Sequence, residues 1–153
     1  MKLPKGITGF GYLSPQHSAG FITKVEQKLA AISRCRILEV HPPQPSNNYY
    51  SIDFEYFSKQ QKEPLLFSLL VNAVYKRYAL IDTRKSEWMQ LHFVNPPMEI
   101  SQKLGFLLEA FTLEQLKLPI EQLNLSELAP QELNQINYWK SKTLGSIVFN
   151  GYD

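Results

Sequence analysis

The segment NYYSIDFEYF at residues 48–57 constrains the fold more than any other part of the chain. Its bulky side chains occupy every second position: Tyr50, Ile52, Phe54 and Tyr56. Because successive side chains of a β-strand point to opposite faces of a sheet, this period of two predicts a strand with one face in the core. The polar residues Ser51, Asp53 and Glu55 then belong to a face in contact with water.

Four further segments have the composition of strands. They are RILEVH at 36–41, LLFSLLVNAVY at 65–75, RYALID at 77–82 and WMQLHFV at 88–94. Strands joined by short connections pair as hairpins, so their order predicts a mostly antiparallel meander. Segment 65–75 is apolar on both faces and suits a buried helix as well as a central strand, but its strand-like neighbours favour the strand.

Apolar residues at helical spacing precede the strands. Phe21, Val25 and Leu29 fall on one helical face. Ser18 is a good N-cap for this helix, which is predicted to run over about 18–33.

Helical spacing returns after the strands. Ile100, Leu104 and Leu108 share a stripe. Pro119 and Pro130 are placed to begin further short helices in the C-terminal part of the chain.

The order of helix, strands and helices predicts the α+β class. We expect an N-terminal helix, a mostly antiparallel sheet of about five strands over about 35–95, and C-terminal helices packed on one face of it. A chain of 153 residues with 44% hydrophobic and 20% charged residues is ordinary for a globular protein. Without a repeat or a long linker, it is expected to form a single globular domain over residues 1–153.

Charge and cysteine content bound the environment of the protein. The net charge of +2 is small for a dedicated nucleic-acid-binding domain. Cys35 is the only cysteine, so no intrachain disulfide can form, and its place between a helix and a strand predicts a buried structural thiol. The N-terminus lacks the apolar segment of a signal peptide, and no apolar run reaches the roughly 18 residues that span a bilayer. A cytoplasmic protein without membrane contact is expected.

The sequence contains no recognisable catalytic or metal-binding motif. His17, His41 and His92 have none of the spacings of a metal site, and no serine lies in a nucleophile elbow. The sequence therefore predicts no catalytic residue, no metal ligand and no cofactor. The alternative is a small enzyme in which His41 and His92 meet Asp53 and Glu55 across the sheet as an acid–base cluster.

A weak nucleic-acid-binding protein is a second alternative, because aromatic residues on a sheet can stack on bases. Tyr50 and Phe54 belong to such a set. The opposite face of the strand carries Asp53 and Glu55, which would repel phosphate. Core packing of the aromatic residues is therefore favoured, and nucleic acid is not an expected partner.

The C-terminal segment YWKSKTLGSIVFNGYD, residues 138–153, is rich in aromatic residues for a chain end. Thr143 is placed to cap a short helix and Gly151 to stop it, so the segment is expected to fold. Trp139 and Phe149 are then expected to close the core, since each aromatic side chain buries on the order of 150–250 Å².

Two end motifs, LPKGITGF at 3–10 and YWKSKTLGSIVFNGYD at 138–153, resemble the ends of a group of small uncharacterised bacterial proteins. Those proteins begin with Leu-Pro-x-Gly-x-Thr-Gly-Phe and finish with Tyr-Trp-Lys, then Gly, Phe-Asn and a final Asp. The resemblance implies a cytoplasmic protein of the kind found beside toxin genes as a specific antidote, that is, an immunity protein. It covers about 24 of the 153 residues, and Gly151 and Tyr152 stand where a second bulky aromatic is expected.

A small single-domain protein without a chemical motif is expected to act by binding, and the resemblance implies a cognate bacterial toxin as the partner. The sequence thus predicts a non-enzymatic protein-binding module, specifically an immunity protein of a toxin–antitoxin pair. Interfaces are anchored by a few aromatic or arginine residues inside a polar rim. The predicted anchors are the exposed members of Tyr49, Trp88 and Tyr152, and the predicted rim charges are Glu114, Glu121 and Glu127.

Overall fold

This computed structural model describes residues 1–11, 17–18 and 20–152. Its helices are α1 (Phe21–Ala30), α2 (Met98–Leu104), α3 (Leu113–Leu116), α4 (Pro130–Trp139) and α5 (Leu144–Val148). Its strands are β1 (Cys35–His41), β2 (Tyr49–Tyr56), β3 (Leu65–Asn72), β4 (Arg77–Asp82), β5 (Phe93–Val94) and β6 (Glu109–Ala110). Residue 19 of the predicted first helix and the final aspartate of the C-terminal motif lie outside the described ranges.

The strands confirm the predicted meander and, with the helices, the α+β class. β1 to β5 lie side by side in chain order, and each neighbouring pair is antiparallel. The ambiguous segment 65–75 contributes the central strand β3 and is not a helix. β6 is an addition that the sequence pattern does not predict; it pairs in parallel with β4, where Ala110 lies opposite Tyr78.

One face of β2 lies in the core, as its period of two predicts. Ile52 and Phe54 have no exposed surface. They belong to one apolar cluster with Val25 and Leu29 of α1 and Leu104 of α2. α1 and α2 thus cover this face of the sheet, and Phe54 is not exposed for stacking on bases.

β3 and β4 are covered on their second face as well. Leu70, Ala79 and Ile81 of that face form a second apolar cluster with residues of α3, α4 and α5, among them Ile136 and Ile147. The C-terminal helices α3–α5 pack together on one face, whereas α2 joins α1 on the other. Because β3 is buried on both sides, its sequence lacks the alternation of β2.

The first helix is shorter than its apolar pattern predicts. α1 begins at Phe21, and its N-cap is Gly20, which has no side chain to bond the helix end. The Ser18 carbonyl oxygen accepts a hydrogen bond from the Phe21 N–H at 3.0 Å, so Ser18 lies before the helix and is not its cap. The predicted range 18–33 is therefore too long at both ends.

The capping predictions for the C-terminal helices are confirmed. The Thr143 hydroxyl accepts from the Ser146 N–H at 3.3 Å at the start of α5, and α4 begins at Pro130. α5 ends at Val148, however, so Gly151 does not stop it.

Cys35 is buried at the start of β1, within the cluster beneath α1. Burial, and to a smaller extent the Glu99 carboxylate, raises the pKa of its thiol to about 12. The thiolate is the nucleophilic form of cysteine, and it is scarcely populated at neutral pH with such a pKa. The predicted structural role of Cys35 fits this environment.

Candidate functional site

The two ends of the chain meet at three buried asparagines, Asn48, Asn72 and Asn150. The side-chain amides of Asn48 and Asn72 each donate to two carbonyl oxygens, those of Ile7 and Val148, at 2.8–3.3 Å. Asn48 also accepts from the Asn150 backbone N–H at 2.8 Å. Buried backbone groups need such partners, so these amides tie the N-terminal segment and α5 to the sheet.

Glu132 in α4 completes this polar network. Its carboxylate accepts from the N–H groups of Gly6, Thr8 and Ala129 and from the Thr8 hydroxyl, at 2.5–3.2 Å. Only 1% of Glu132 is exposed, so these donors replace water around its charge. The Asn150 amide donates to the Thr8 carbonyl oxygen at 2.9 Å. We call four side chains the end clasp: Asn48, Asn72, Glu132 and Asn150.

Both end motifs have a structural role in this arrangement. The N-terminal motif places Leu3 and Ile7 in the second apolar cluster. The C-terminal motif adds Leu144, Ile147, Val148, Phe149 and Tyr152 to the same cluster. Most apolar residues of the two motifs therefore build the interior, whereas Tyr138 and Trp139, at the start of the C-terminal motif, are at least partly exposed.

The assignment of Phe149 to the core is confirmed. It is 3% exposed, and its ring lies 6.0–6.1 Å, between centroids, from the rings of Tyr49, Phe93 and Phe111. This packing leaves Tyr49 half-buried.

The prediction of Tyr152 as an exposed anchor is wrong. Its side chain is 4% exposed because the end of the chain folds back onto the core. Its hydroxyl shares a hydrogen bond of 2.5 Å with the Ser141 hydroxyl. Burial raises the pKa of Tyr152 to about 12, and the Ser141 bond opposes that rise. Of the three predicted anchors, Trp88 is the one that is mostly exposed.

Trp88 lies in a two-residue turn between β4 and β5. Glu87 and Gln90 close the turn by reciprocal backbone hydrogen bonds of 3.0 and 2.9 Å. Met89 has a φ of 67°, a left-handed conformation that costs a non-glycine residue about 1–2 kcal/mol. The Gly151 N–H donates to Met89 Sδ at 3.1 Å and helps to hold it. Strained residues fixed by their surroundings are typical of functional sites.

Gly151 allows this turn to lie against the end of the chain. A β-carbon at position 151 would be 2.5 Å from Trp88 Nε1 and 2.8 Å from Met89 Sδ, which is too close. Trp88 Nε1 also donates to the Ser46 carbonyl oxygen at 3.1 Å. The indole is thus fixed in place although 55% of Trp88 is exposed. Gly151 serves the position of Trp88 and not the end of a helix.

Trp88 begins a row of three aromatic rings at the surface. Trp139, at the end of α4, contacts Trp88 and Tyr138 edge-on, with centroids 5.9 and 5.3 Å apart. Trp139 is half-buried against the second cluster, and its Nε1 donates to Gln135 Oε1 at 3.0 Å. Tyr138 is 74% exposed. We call Trp88, Tyr138 and Trp139 the aromatic ridge.

The sequence pattern assigns Trp139 to the core, which is correct for only part of its surface. Tyr138 is absent from the predicted anchors. It lies two positions beyond the buried Ile136, off the apolar stripe of α4, and that spacing could have indicated an outward side chain.

Two adjoining clefts run from the ridge along β5. The smaller has a volume of about 160 Å³ and begins at Met89. The larger has a volume of about 500 Å³ and lies between β5 and α3. Leu91, Phe93 and Thr143 line both clefts, so the two clefts lie next to each other.

The three predicted rim glutamates are all exposed but do not surround the ridge. Glu114 belongs to α3, which lines the larger cleft. Glu121 follows Ile120, whose N–H donates to the Lys142 carbonyl oxygen at 2.8 Å, near the end of α4. Glu127 precedes α4 at its other end, about 15 Å from the ridge along the helix. It forms a 3.2 Å ion pair with a lysine, Lys2.

The structure does not bring together the four residues of the alternative acid–base cluster. His41 Nε2 lies 3.2 Å from Asp53 Oδ2. Glu55 is paired with Arg36 instead. His92 lies beside β5, at the opposite edge of the sheet from β1. Four strand spacings, about 19 Å, therefore separate His92 from His41 of β1.

Comparison with protein-family models, with curated proteins and with solved structures gave no match. Among the helices of the described residues, none has the length and apolar character needed to cross a membrane. Function is therefore inferred from the side chains and surface of this chain.

Proposed function

We propose that the protein is a non-enzymatic protein-binding module that contacts its partner through the aromatic ridge and the adjoining clefts. The exposed ridge is the observation that carries this proposal. Trp88 and Tyr138 are each more than half exposed, and Trp139 links them into one apolar surface. Tryptophan and tyrosine are enriched among the residues that dominate binding energy.

The ridge is prepared for binding in two further respects. The nitrogen atoms of both indoles already donate within the protein, so a partner can cover the rings without leaving those donors unpaired. The turn that carries Trp88 is fixed through Met89 and Gly151, which reduces the entropy lost on binding. A standard interface buries about 800 Å² on each partner, to which three aromatic side chains contribute a large share.

Charge at the border of this surface is mixed. Glu114 and Glu121 supply the negative charges of the predicted rim, whereas Lys117 lines the larger cleft. Glu127 is left out of the proposed contact because of its distance and its ion pair with Lys2. Such border charges act more on association rate and specificity than on affinity.

We further propose that the partner is a cognate bacterial toxin, so that the protein acts as an immunity protein. The resemblance of the two end motifs supports this more specific role. Most apolar residues of those motifs lie inside the fold and support a shared framework. Tyr138 and Trp139 of the C-terminal motif, together with Trp88 and the clefts, would contact the toxin.

Co-expression with the product of the neighbouring gene tests both levels of the proposal. We expect protection of the host cell and a complex that survives co-purification. The variants Trp88→Ala and Tyr138→Ala should each weaken the complex by about 30-fold, which corresponds to about 2 kcal/mol. Phe106→Ala is the matched control, because Phe106 is a fully exposed aromatic residue in the loop after α2. α2 covers the face of the sheet opposite to that of α3–α5.

The outcomes separate the two levels. Without protection and without a complex, the immunity role is wrong. A complex that tolerates both ridge substitutions as well as it tolerates Phe106→Ala would assign binding to another surface.

A further inference from the structure

A β-bulge in β1 brings three potential metal ligands to one point. The pairing of β1 with β2 shifts by one residue between Ile37 and Glu39, so Leu38 is an extra residue. Without this shift Glu39 would face the core; with it, Glu39 and His41 share the polar face with Asp53. Leu38 is left 47% exposed. Bulges commonly redirect side chains in this way at functional sites.

The distances suit a metal ion. His41 Nε2 lies 3.2 Å from Asp53 Oδ2 and 3.5 Å from Glu39 Oε2, and all three atoms lie within 4.8 Å of one another. In a tetrahedral site with bonds of about 2.0–2.2 Å, ligand atoms are about 3.3–3.6 Å apart. Two of the three separations are close to this range. The third, between the two carboxylates, can close by rotation of the exposed Glu39 side chain.

Neighbouring hydroxyl groups fix the orientation of the Asp53 carboxylate. The Ser51 and Ser68 hydroxyls donate to its Oδ1 at 3.0 and 2.7 Å. Ser68 is 3% exposed and also lies 2.7 Å from the Thr83 hydroxyl. Oδ1 is therefore engaged while Oδ2 is turned towards His41, an arrangement that hydrogen bonds provide for ligating carboxylates in metal sites.

We infer that Glu39, His41 and Asp53 form a binding site for a divalent first-row transition cation such as Zn²⁺. An imidazole with two carboxylates is a ligand set that Zn²⁺ accepts, whereas Mg²⁺ and Ca²⁺ prefer oxygen ligands. Three protein ligands leave a fourth position for water or for a group of a partner. The bound ion would link the edge strand β1 to β2 and stabilise the folded chain by mass action. This site is independent of the aromatic ridge.

Zn²⁺ uptake by the untagged full chain, measured by competition with a chromophoric chelator, tests the site. We expect one equivalent to bind, and Co²⁺ in its place to show the absorption of a tetrahedral complex. Glu39→Gln and His41→Gln should each lower the affinity for Zn²⁺ at least about tenfold. His92→Gln is the matched control, because His92 is an exposed histidine at the opposite edge of the sheet. Zn²⁺ should raise the Tm of the wild type and of His92→Gln, but not of His41→Gln.

Three results would overturn the inference. One is the lack of stoichiometric uptake by the wild type. Another is uptake that His92→Gln lowers as much as His41→Gln, which indicates non-specific binding to surface histidines. The third is loss of uptake in His41→Gln with full uptake in Glu39→Gln, which leaves an imidazole contact and not a three-ligand site. Circular dichroism checks that the variants fold; Glu39, His41 and His92 are all at least partly exposed.

Discussion

The end clasp and the aromatic ridge use neighbouring residues of one chain segment in opposite ways. In the clasp, the polar Asn150 is 2% exposed and bonded to the opposite chain end. In the ridge, the aromatic Tyr138 is 74% exposed. Exposure at these two positions is the reverse of what residue hydrophobicity alone would suggest, and buried polar groups and exposed apolar groups are the informative cases.

The two regions are also mechanically connected. Gly151 lies directly after Asn150 of the clasp and contacts Trp88 and Met89 beneath the ridge. The clasp therefore fixes the backbone against which the ridge is positioned. This comparison predicts that substitutions in the clasp and its core act on folding stability, whereas substitutions in the ridge act on binding.

The largest expected effect is that of Phe149→Ala. Removing this buried ring should lower the free energy of unfolding by about 3–5 kcal/mol, through lost burial and a cavity. Trp139→Ala should lower the free energy of unfolding by clearly less than Phe149→Ala does, since Trp139 is half-buried. It should also weaken partner binding. Urea unfolding measures both. Equal losses for the two variants would contradict the proposed division between core and ridge.

Glu132→Ala should have the next largest effect. It leaves the N–H groups of Gly6, Thr8 and Ala129 without their buried acceptor, at an expected cost of roughly 2–3 kcal/mol. Glu127→Ala is the control in urea unfolding. The ion pair of Glu127 with Lys2 is solvent-exposed, so Glu127→Ala should change the free energy of unfolding by no more than about 0.5 kcal/mol. A similar small effect for Glu132→Ala would show that the clasp does not stabilise the fold.

Gly151→Ala tests the connection between clasp and ridge. The added methyl group overlaps Trp88 Nε1, so the turn should move at a cost of about 1–2 kcal/mol. Tryptophan fluorescence should change, and partner affinity should fall by more than stability alone explains. Gly20→Ala is a control, since a β-carbon there meets nothing within 4 Å. Unchanged fluorescence in Gly151→Ala would separate the two regions.

Sequence patterns predict the features that depend on local order. The alternation in β2 and the short connections between strands are sufficient for the meander and the α+β class. β6 is missed because a two-residue strand has no period of its own, and its partner β4 is remote in sequence.

The sites could not be predicted in the same way, because they depend on contacts between distant residues. Asn48 and Asn150 are 102 residues apart, and their burial follows from pairing with each other and with the chain ends. The bulge at Leu38 is a single extra residue, yet it decides which face Glu39 occupies. Trp88 was predicted as an anchor candidate from residue type, but the turn that exposes it depends on Gly151.

The smallest expected effects come from two buried tyrosines with different surroundings. Tyr152, at the chain end, has its hydroxyl bonded to Ser141. The Tyr78 hydroxyl has no hydrogen-bond partner among the described residues. In urea unfolding at pH 7, Tyr152→Phe should therefore lower the free energy of unfolding by about 1 kcal/mol, whereas Tyr78→Phe should be neutral or stabilising by a few tenths.

The same pair makes a prediction at alkaline pH. Burial raises the pKa of both hydroxyls from 10.0 to about 12, so the folded state keeps protons that the unfolded chain loses above pH 10. This contribution to stability is complete below pH 10 and is lost as the pH rises towards about 12. Each substitution by Phe should thus reduce the loss of stability between pH 9 and pH 11, measured by urea unfolding. If Tyr78→Phe costs as much as Tyr152→Phe at pH 7, the Tyr78 hydroxyl has a partner after all, and the contrast between a bonded and an unbonded buried hydroxyl does not hold.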